Sequence, residues 1–218
     1  MRTAKTVLTV IQERGKQKKP IERVYKLLFN RELYLNAYAK LYPNNGAMTK
    51  GVTDETVDGM SIQKIDRMIE ILREEKYQWK PARREYIKKK NGKKRPLGIP
   101  VWGDKVLQEV MRQILEAYYE PQFSEHSHGF RPNRGCHTAL QEIQVWKGTR
   151  WFIEGDISQY FDTIDHKILL EILARNIHDG RFIRLVSNML EAGYLEEWKF
   201  NQTISGVPQL SLIHISEP

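Results

Sequence analysis

Apolar residues recur along this chain with two different periods, and the two periods predict different elements. Ile62, Ile65, Ile69 and Leu72 step by three and four behind Ser61, a residue suited to an N-cap, which predicts an amphipathic helix. Leu107, Val110, Met111, Ile114, Leu115 and Tyr118 form a stronger stripe, opened by Asp104 and stopped by Pro121, and this stripe is read as core. A third helix begins at an Asp165 N-cap and buries Ile168 or Leu169, Ile172 and Leu173. A fourth carries Phe182, Leu185, Val186 and Met189 up to Gly193. Between the first two helices the pattern changes. Tyr86 and Ile87 precede Asn91-Gly92, and Leu97, Ile99 and Val101 follow it, which predicts a β-hairpin. Residues 1–30 are basic and contain Gln17-Lys18-Lys19-Pro20; they read as a helix and a link that docks late or on RNA. No internal repeat is found. Mixed helices and hairpins argue for an α+β fold and against a doubly wound parallel sheet.

The chain has 218 residues, enough for one large or two small domains with a hydrophobic core. Its net charge is +8, and the distribution of that charge is informative. Residues 80–95 hold nine Lys or Arg residues and one acid, Glu85, so this segment carries a charge equal to that of the whole chain. A basic block is often only a solvated face. Placed at the tip of a hairpin, it can also track phosphates or clamp a triphosphate. No apolar run approaches the roughly 18 residues of a membrane span, so no membrane partner is expected. The run Thr6 to Ile11 is followed at once by Gln12-Glu13-Arg14 and lacks a small-residue cleavage site, which does not fit a signal peptide. A single cysteine, Cys136, excludes an internal disulfide and a Cys-rich zinc module and agrees with a reducing compartment. The expected location is cytoplasmic.

Candidate chemistry concentrates in residues 151–165. An apolar run, Trp151-Phe152-Ile153, leads to the carboxylate of Asp156, and Phe161 follows five residues later. A strand ending in Asp can project a hard oxygen toward Mg²⁺, while the next turn offers backbone N–H groups to a triphosphate and a ring walls the sugar. Taken alone, an Asp after an apolar run is more often a turn residue or a cap than a metal ligand. Asp162 and Asp165 are nearer to turn and N-cap roles than to metal binding. His126, His128, Cys136 and His137 have a spacing that fits no closed tetrahedral zinc module.

Four blocks in order decide between these readings. They are Lys88-Lys89-Lys90-Asn91-Gly92-Lys93-Lys94-Arg95-Pro96-Leu97-Gly98-Ile99-Pro100; Asp104 to Met111 with Gly129-Phe130-Arg131-Pro132-Asn133-Arg134; the Asp156 block; and Gly206-Val207-Pro208-Gln209. Together they resemble a group II intron-encoded reverse transcriptase, also called a maturase. Asn44 to Gly51 and Thr56 to Gly59 look like that family's N-terminal extension, and the resemblance covers about residues 30–209. It implies right-hand polymerase fingers at 31–150, preceded by a basic segment at 1–30, and a partial palm at 151–209. Phe152 and Ile153 would precede Asp156 on a central palm strand, with the helix from Asp165 packed under the sheet.

The resemblance also implies roles. Asp156 would be the first metal-binding aspartate, with the Ile157 carbonyl on a second ion, in two-Mg²⁺ chemistry. Phe161 would crowd a ribose 2′-OH, with Gln159 and Tyr160 beside the same nucleotide. Lys89 and Arg95 would grip the triphosphate, and Gln209 would rest near the templating pair. Lys88, Lys90, Lys93 and Lys94, with Arg131 and Arg134, would contact RNA, although Arg131 reads equally as a structural ion-pair partner. The implied partners are an intron RNA template, a DNA primer and dNTPs.

The chain also departs from the family. No Asp-Asp pair occurs in it, whereas the family completes its metal site with a Tyr-Ala-Asp-Asp type hairpin. Residues 210–218 read as a non-native tail. The expected function is RNA-directed DNA polymerisation for a group II intron, with help to splicing and mobility. The chain by itself is expected to be inactive. The alternative is a non-catalytic RNA-binding maturase.

Overall fold

The computed structural model describes residues 2–88, 92, 94–157, 163–197 and 199–203. Its organising element is a helix of 18 residues, Trp102–Tyr119, against which Ala4–Lys16 (α1) and Arg31–Leu41 (α2) pack, with Ile62–Arg73 (α3) packed on α2 and on the Val24–Phe29 turn. This long helix (α4) buries Val106, Leu107, Val110, Met111, Ile114 and Tyr118, the stripe expected from periodicity. It starts at Trp102, so Asp104 lies inside the first turn and is not the cap. The cap position, Val101, carries no side-chain acceptor. The Asp104 carboxylate instead accepts hydrogen bonds from the Tyr77 hydroxyl (2.7 Å) and the Lys80 N–H (3.0 Å).

Helix α1, expected as a helix that docks late or on RNA, is packed on the core in this structure. It is capped by Thr3, whose hydroxyl accepts from the Thr6 N–H, and it buries Ala4, Ile11 and Gly15. A Cβ at Gly15 would sit 2.1 Å from the Tyr118 carbonyl oxygen, so here α1 and α4 meet backbone to backbone. Only glycine permits that approach. The link after the helix is held as well, because the Tyr118 hydroxyl donates to the Lys19 carbonyl (3.0 Å).

Helix α3 behaves as predicted at its cap, where the Ser61 oxygen accepts from the Lys64 N–H, and it buries Ile65, Ile69 and Leu72. Ile62 lies at the edge of the stripe and is exposed.

Downstream come Cys136–Gln144 (α5), His166–Ala174 (α6) and Gly180–Leu190 (α7). Asp165 caps α6 as expected, accepting from the Ile168 N–H (3.1 Å). Leu169 and Leu173 pack against the core while Ile168 stays exposed, and Ile172, expected to be buried, is exposed as well because it lies on the same outer face as Ile168. Helix α7 buries Phe182, Leu185, Val186 and Leu190 in the same apolar cluster as α1 to α4. Two bonds fix it there. The Asp179 carboxylate caps α7 at the Arg181 N–H and accepts the Tyr25 N–H (2.9 Å), and the Trp79 indole donates to the Leu185 carbonyl (3.0 Å).

The described strands form two sheets. Ile21–Glu22 (β1) runs parallel to Ile177–His178 (β4). The second sheet has the order β3-β2-β5-β6 and contains the predicted hairpin, Ala82–Lys88 (β2) and Lys94–Ile99 (β3), beside Tyr194–Glu196 (β5) and Lys199–Asn201 (β6). The mixed helix and strand content is that of an α+β protein.

Candidate nucleic-acid interface

The hairpin is antiparallel from Arg83↔Ile99 to Lys88↔Lys94, so its turn end is the cationic one. Gly92 has φ +78°, the left-handed conformation that a tight hairpin turn requires. Lys88 and Lys94 are exposed; Lys89, Lys90 and Lys93, and the Arg95 side chain, lie outside the described set. Two arginines nearer the base serve the fold. The Arg83 guanidinium donates twice to the Lys50 carbonyl (3.1 and 2.8 Å) and pairs with Glu85, tying β2 to the 44–59 segment. The Arg84 guanidinium lies 3.5 Å above the Tyr194 ring, and the Tyr86 hydroxyl donates to Glu196 (2.5 Å), so both bind β2 to β5. Strands of three residues leave almost no periodic signal, and the sequence reading missed both contacts.

The 44–59 segment is anchored from inside. The Lys105 ammonium, mostly buried, donates to the Gly46 and Thr49 carbonyls (3.2 and 3.1 Å), and burial pulls its pKa down to about 8. Gly51 lies so close to Pro100 and Val101 that a Cβ would meet their backbone at 2.8–2.9 Å.

The Asp156 segment corrects the sequence reading. Residues 151–157 form no strand and are exposed, with Trp151 at 88 % and Ile153 at 93 %. A strand needs a hydrogen-bonded neighbour, and among the described residues none lies alongside. Asp156 is a solvent-facing carboxylate and Ile157 is likewise exposed. Gln159, Tyr160, Phe161 and Asp162, and Gln209 with the rest of 204–218, lie outside the described residues. The chain that leaves the Phe161 block and the chain that enters the Gly206 block nevertheless share one cleft. Thr163, Asp165 and Lys167 line it together with Gln202 and Thr203, beside residues of α6 and α7, around about 820 Å³.

Among the described residues no group of three or more His, Cys, Asp or Glu side chains could hold a metal ion.

In the loop before α5, the Arg131 side chain is 8 % exposed and its donors are taken up locally. It grips the Glu120 carboxylate (2.9–3.2 Å) and the Ser124 and Ser127 carbonyls (2.6 and 2.9 Å). The ion-pair alternative is the one this geometry carries. Arg134 donates to the Glu125 carbonyl and stays nearer the surface. Phe130 and Asn133 adopt left-handed φ values of 56° and 58°, which turn the loop sharply. Glu142, absent from the sequence reading, receives both His126 and His128 (2.8 Å to the latter), and these contacts, that from His128 foremost, hold its carboxyl below the usual range.

A family model described as "Reverse transcriptase (RNA-dependent DNA polymerase)" matches residues 87–209, more than half of the chain. The chain belongs to that family. Its similarity to intron-encoded members bears out the resemblance read from the four blocks. It is 50% identical over 189 residues to "Group II intron-encoded protein LtrA" of Lactococcus lactis subsp. cremoris, covering 86% of this chain and 32% of that one. It is 45% identical over 218 residues to "Uncharacterized 91 kDa protein in cob intron" of Schizosaccharomyces pombe, covering 96% of this chain and 27% of the relative. A third relative, "Nuclear intron maturase 1, mitochondrial" of Arabidopsis thaliana, is 36% identical over 93 residues, 42% of this chain and 13% of that one. This reverse transcriptase-family chain therefore spans about a third or less of these curated relatives. No helix among the described residues is long and apolar enough to cross a membrane.

Proposed function

We propose that this chain forms the fingers and first part of the palm of a group II intron-encoded reverse transcriptase, which copies intron RNA into DNA and assists splicing and mobility of its intron. The proposed divisions are a basic segment at 1–30, N-terminal extension and fingers at 31–150, partial palm at 151–209 and a non-native tail at 210–218. The observation that carries the reading is the shared cleft, which draws the chain flanking the Asp156 block and the chain flanking Gly206 to one place. There Phe161, Gln159, Tyr160 and Gln209 would surround the nucleotide, and Lys89 and Arg95 would reach its phosphates from the hairpin. Lys88, Lys90, Lys93, Lys94 and Arg134 would follow the RNA backbone, while Arg131 shapes the loop that presents Arg134. Mg²⁺, when bound, supplies charge neutralisation at the reacting phosphates. Asp156 would hold it, with the Ile157 carbonyl alongside. The primer is DNA, the substrates are dNTPs and the compartment is cytoplasmic.

The second reading, an RNA-binding maturase without catalysis, is favoured by the absence among the described residues of a complete metal-binding group. Primer extension separates the two. The 218-residue chain should bind intron RNA and extend no primer, whereas the chain joined to a Tyr-Ala-Asp-Asp hairpin and thumb should extend one and lose this on Asp156→Asn. Extension at the parental rate by that variant removes Asp156 from the mechanism.

A further inference from the structure

The hairpin with the cationic tip is a two-stranded ribbon for most of its length. Strand β5 pairs with β2 at Ala82 and Arg83, so among the described residues the ribbon from Arg84 to Lys88 has β3 as its one strand partner. At about 3.3 Å per residue, Lys88 stands about 16 Å beyond Arg83. A tilt of about 10° at the base then moves the tip by about 3 Å, the length of a hydrogen bond. Whatever fixes the base decides where the tip cations point.

Alternate side chains leave a strand on opposite faces, and the two faces of β2 are braced by different parts of the chain. On one face the Arg84 guanidinium lies over the Tyr194 ring and the Tyr86 hydroxyl reaches Glu196, both on β5. On the other, the Arg83 guanidinium donates through Nε and Nη2 to the Lys50 carbonyl (3.1 and 2.8 Å). Residues 46–51 meet the second strand too, because Gly51 lies against the backbone of Pro100 and Val101, directly after β3. The same short run is held from α4, where the Lys105 ammonium donates to the Gly46 and Thr49 carbonyls. Lys105 is 4 % exposed, and burial first and the Arg83 charge second pull its pKa down. Two cations placed together are unfavourable in themselves. Here they converge on one run of carbonyls, which joins α4, residues 46–51 and the hairpin base.

We propose that Arg83 and Gly51 are positioning residues of the nucleic-acid interface: with Lys105 they make residues 46–51 a strut that sets the direction of the hairpin, so that the tip cations meet an RNA backbone in one orientation. The link to RNA rests on the RNA-binding reading above; the strut does not.

Two substitutions act on the strut without changing charge. Gly51→Ala places a methyl 2.8–2.9 Å from the Val101 and Pro100 backbone, so the strut or the hairpin base must move. Arg83→Lys keeps the cation and loses the planar fork. Spin labels at Lys88→Cys and at the native Cys136, both exposed, report the direction of the tip through their dipolar coupling. The parent should give one narrow distance distribution, and each variant should shift or broaden it by about 3 Å or more. RNA affinity of the 218-residue chain should fall about fivefold in each variant, the scale of coupling within one network. With Lys88→Gln and Lys94→Gln already present, the same changes should alter affinity by less than about twofold, because the cations whose direction matters are gone. A role in stability alone would lower the melting temperature and leave the distances and the additivity as they were. Arg83→Lys decides the matter if Gly51→Ala does not fold. Parental distances in every variant that folds overturn the strut. Altered distances with parental RNA affinity, in a chain whose tip substitutions do weaken RNA binding, overturn its link to RNA. RNA affinity indifferent to Lys88→Gln with Lys94→Gln removes the RNA reading instead, and the distances then decide the strut by themselves.

Discussion

The helical body around α4 and the stretch from Phe123 to Ile157 contain similar kinds of apolar residues and treat them in opposite ways. In the body, Leu107, Ile114 and Tyr118 are fully covered, and even charged groups are satisfied within the chain. Glu109, 1 % exposed, receives a two-pronged bond from Arg112 (2.7 and 2.8 Å) and the Lys40 ammonium (3.3 Å). In the other stretch Phe130, Val145, Trp151, Phe152 and Ile153 face outward. Residues that bury a core and residues that await a neighbour cannot be told apart by hydropathy; only the surroundings separate them. The body is a self-sufficient scaffold, whereas the segment bearing the candidate metal ligand is not internally held.

That contrast makes stability respond very differently to substitution in the two regions. Leu107→Ala should cost about 2–5 kcal/mol, because it opens a cavity in the covered body, and urea denaturation checks this. Gly15→Ala should cost about 1–3 kcal/mol despite the better helix propensity of alanine, since the added methyl meets the Tyr118 carbonyl. A stability equal to the parent's would show that α1 is not docked as described.

A third measurement sharpens the body's side of the comparison through pH. Burial raises the Asp104 carboxyl from 3.8 to about 6, against the opposing bonds from Tyr77 and the Lys80 N–H. The folded state therefore binds a proton more tightly than the unfolded one. This group's contribution is greatest below pH 4 and is lost as pH rises through about 6, by at most about 3 kcal/mol. The stability difference between parent and Asp104→Asn should fall across that window and then level off. A flat difference would mean that the carboxylate is solvated.

Two smaller effects probe the exposed surfaces. Replacing Lys88 and Lys94 by Gln should leave folding intact and lower the steepness of log K for RNA against log salt by about two units or slightly less. An unchanged slope would separate the hairpin from the RNA backbone. Ile153→Ser should shift stability by less than about 0.5 kcal/mol, as for a surface position. A cost of core size would mean that residues 151–157 are covered in solution.

Much of the helical body is legible in the sequence because its signals are local. The Ser61 and Asp165 caps, the α4 stripe, the Phe182-to-Met189 stripe and the hairpin around Gly92 each rest on residues within a few positions of one another, and each is present in the structure. The family was legible too, since four ordered blocks need no folding to be recognised, and the match over residues 87–209 agrees with them. Tertiary structure decided what depends on distant partners. Whether Arg131 faces RNA or Glu120 turns on a carboxylate eleven residues away, at the C-terminal end of α4. Docking of α1 turns on Gly15 meeting Tyr118, and the pairing of Ile21 with Ile177 joins opposite ends of the chain. The Asp156 strand failed for the same reason in reverse. An apolar run states that a segment can pair, but strand formation also needs a neighbour whose N–H and C=O groups are in reach, and no described segment supplies one. Periodicity encodes which face of an element is apolar; only the packed chain determines what that face meets.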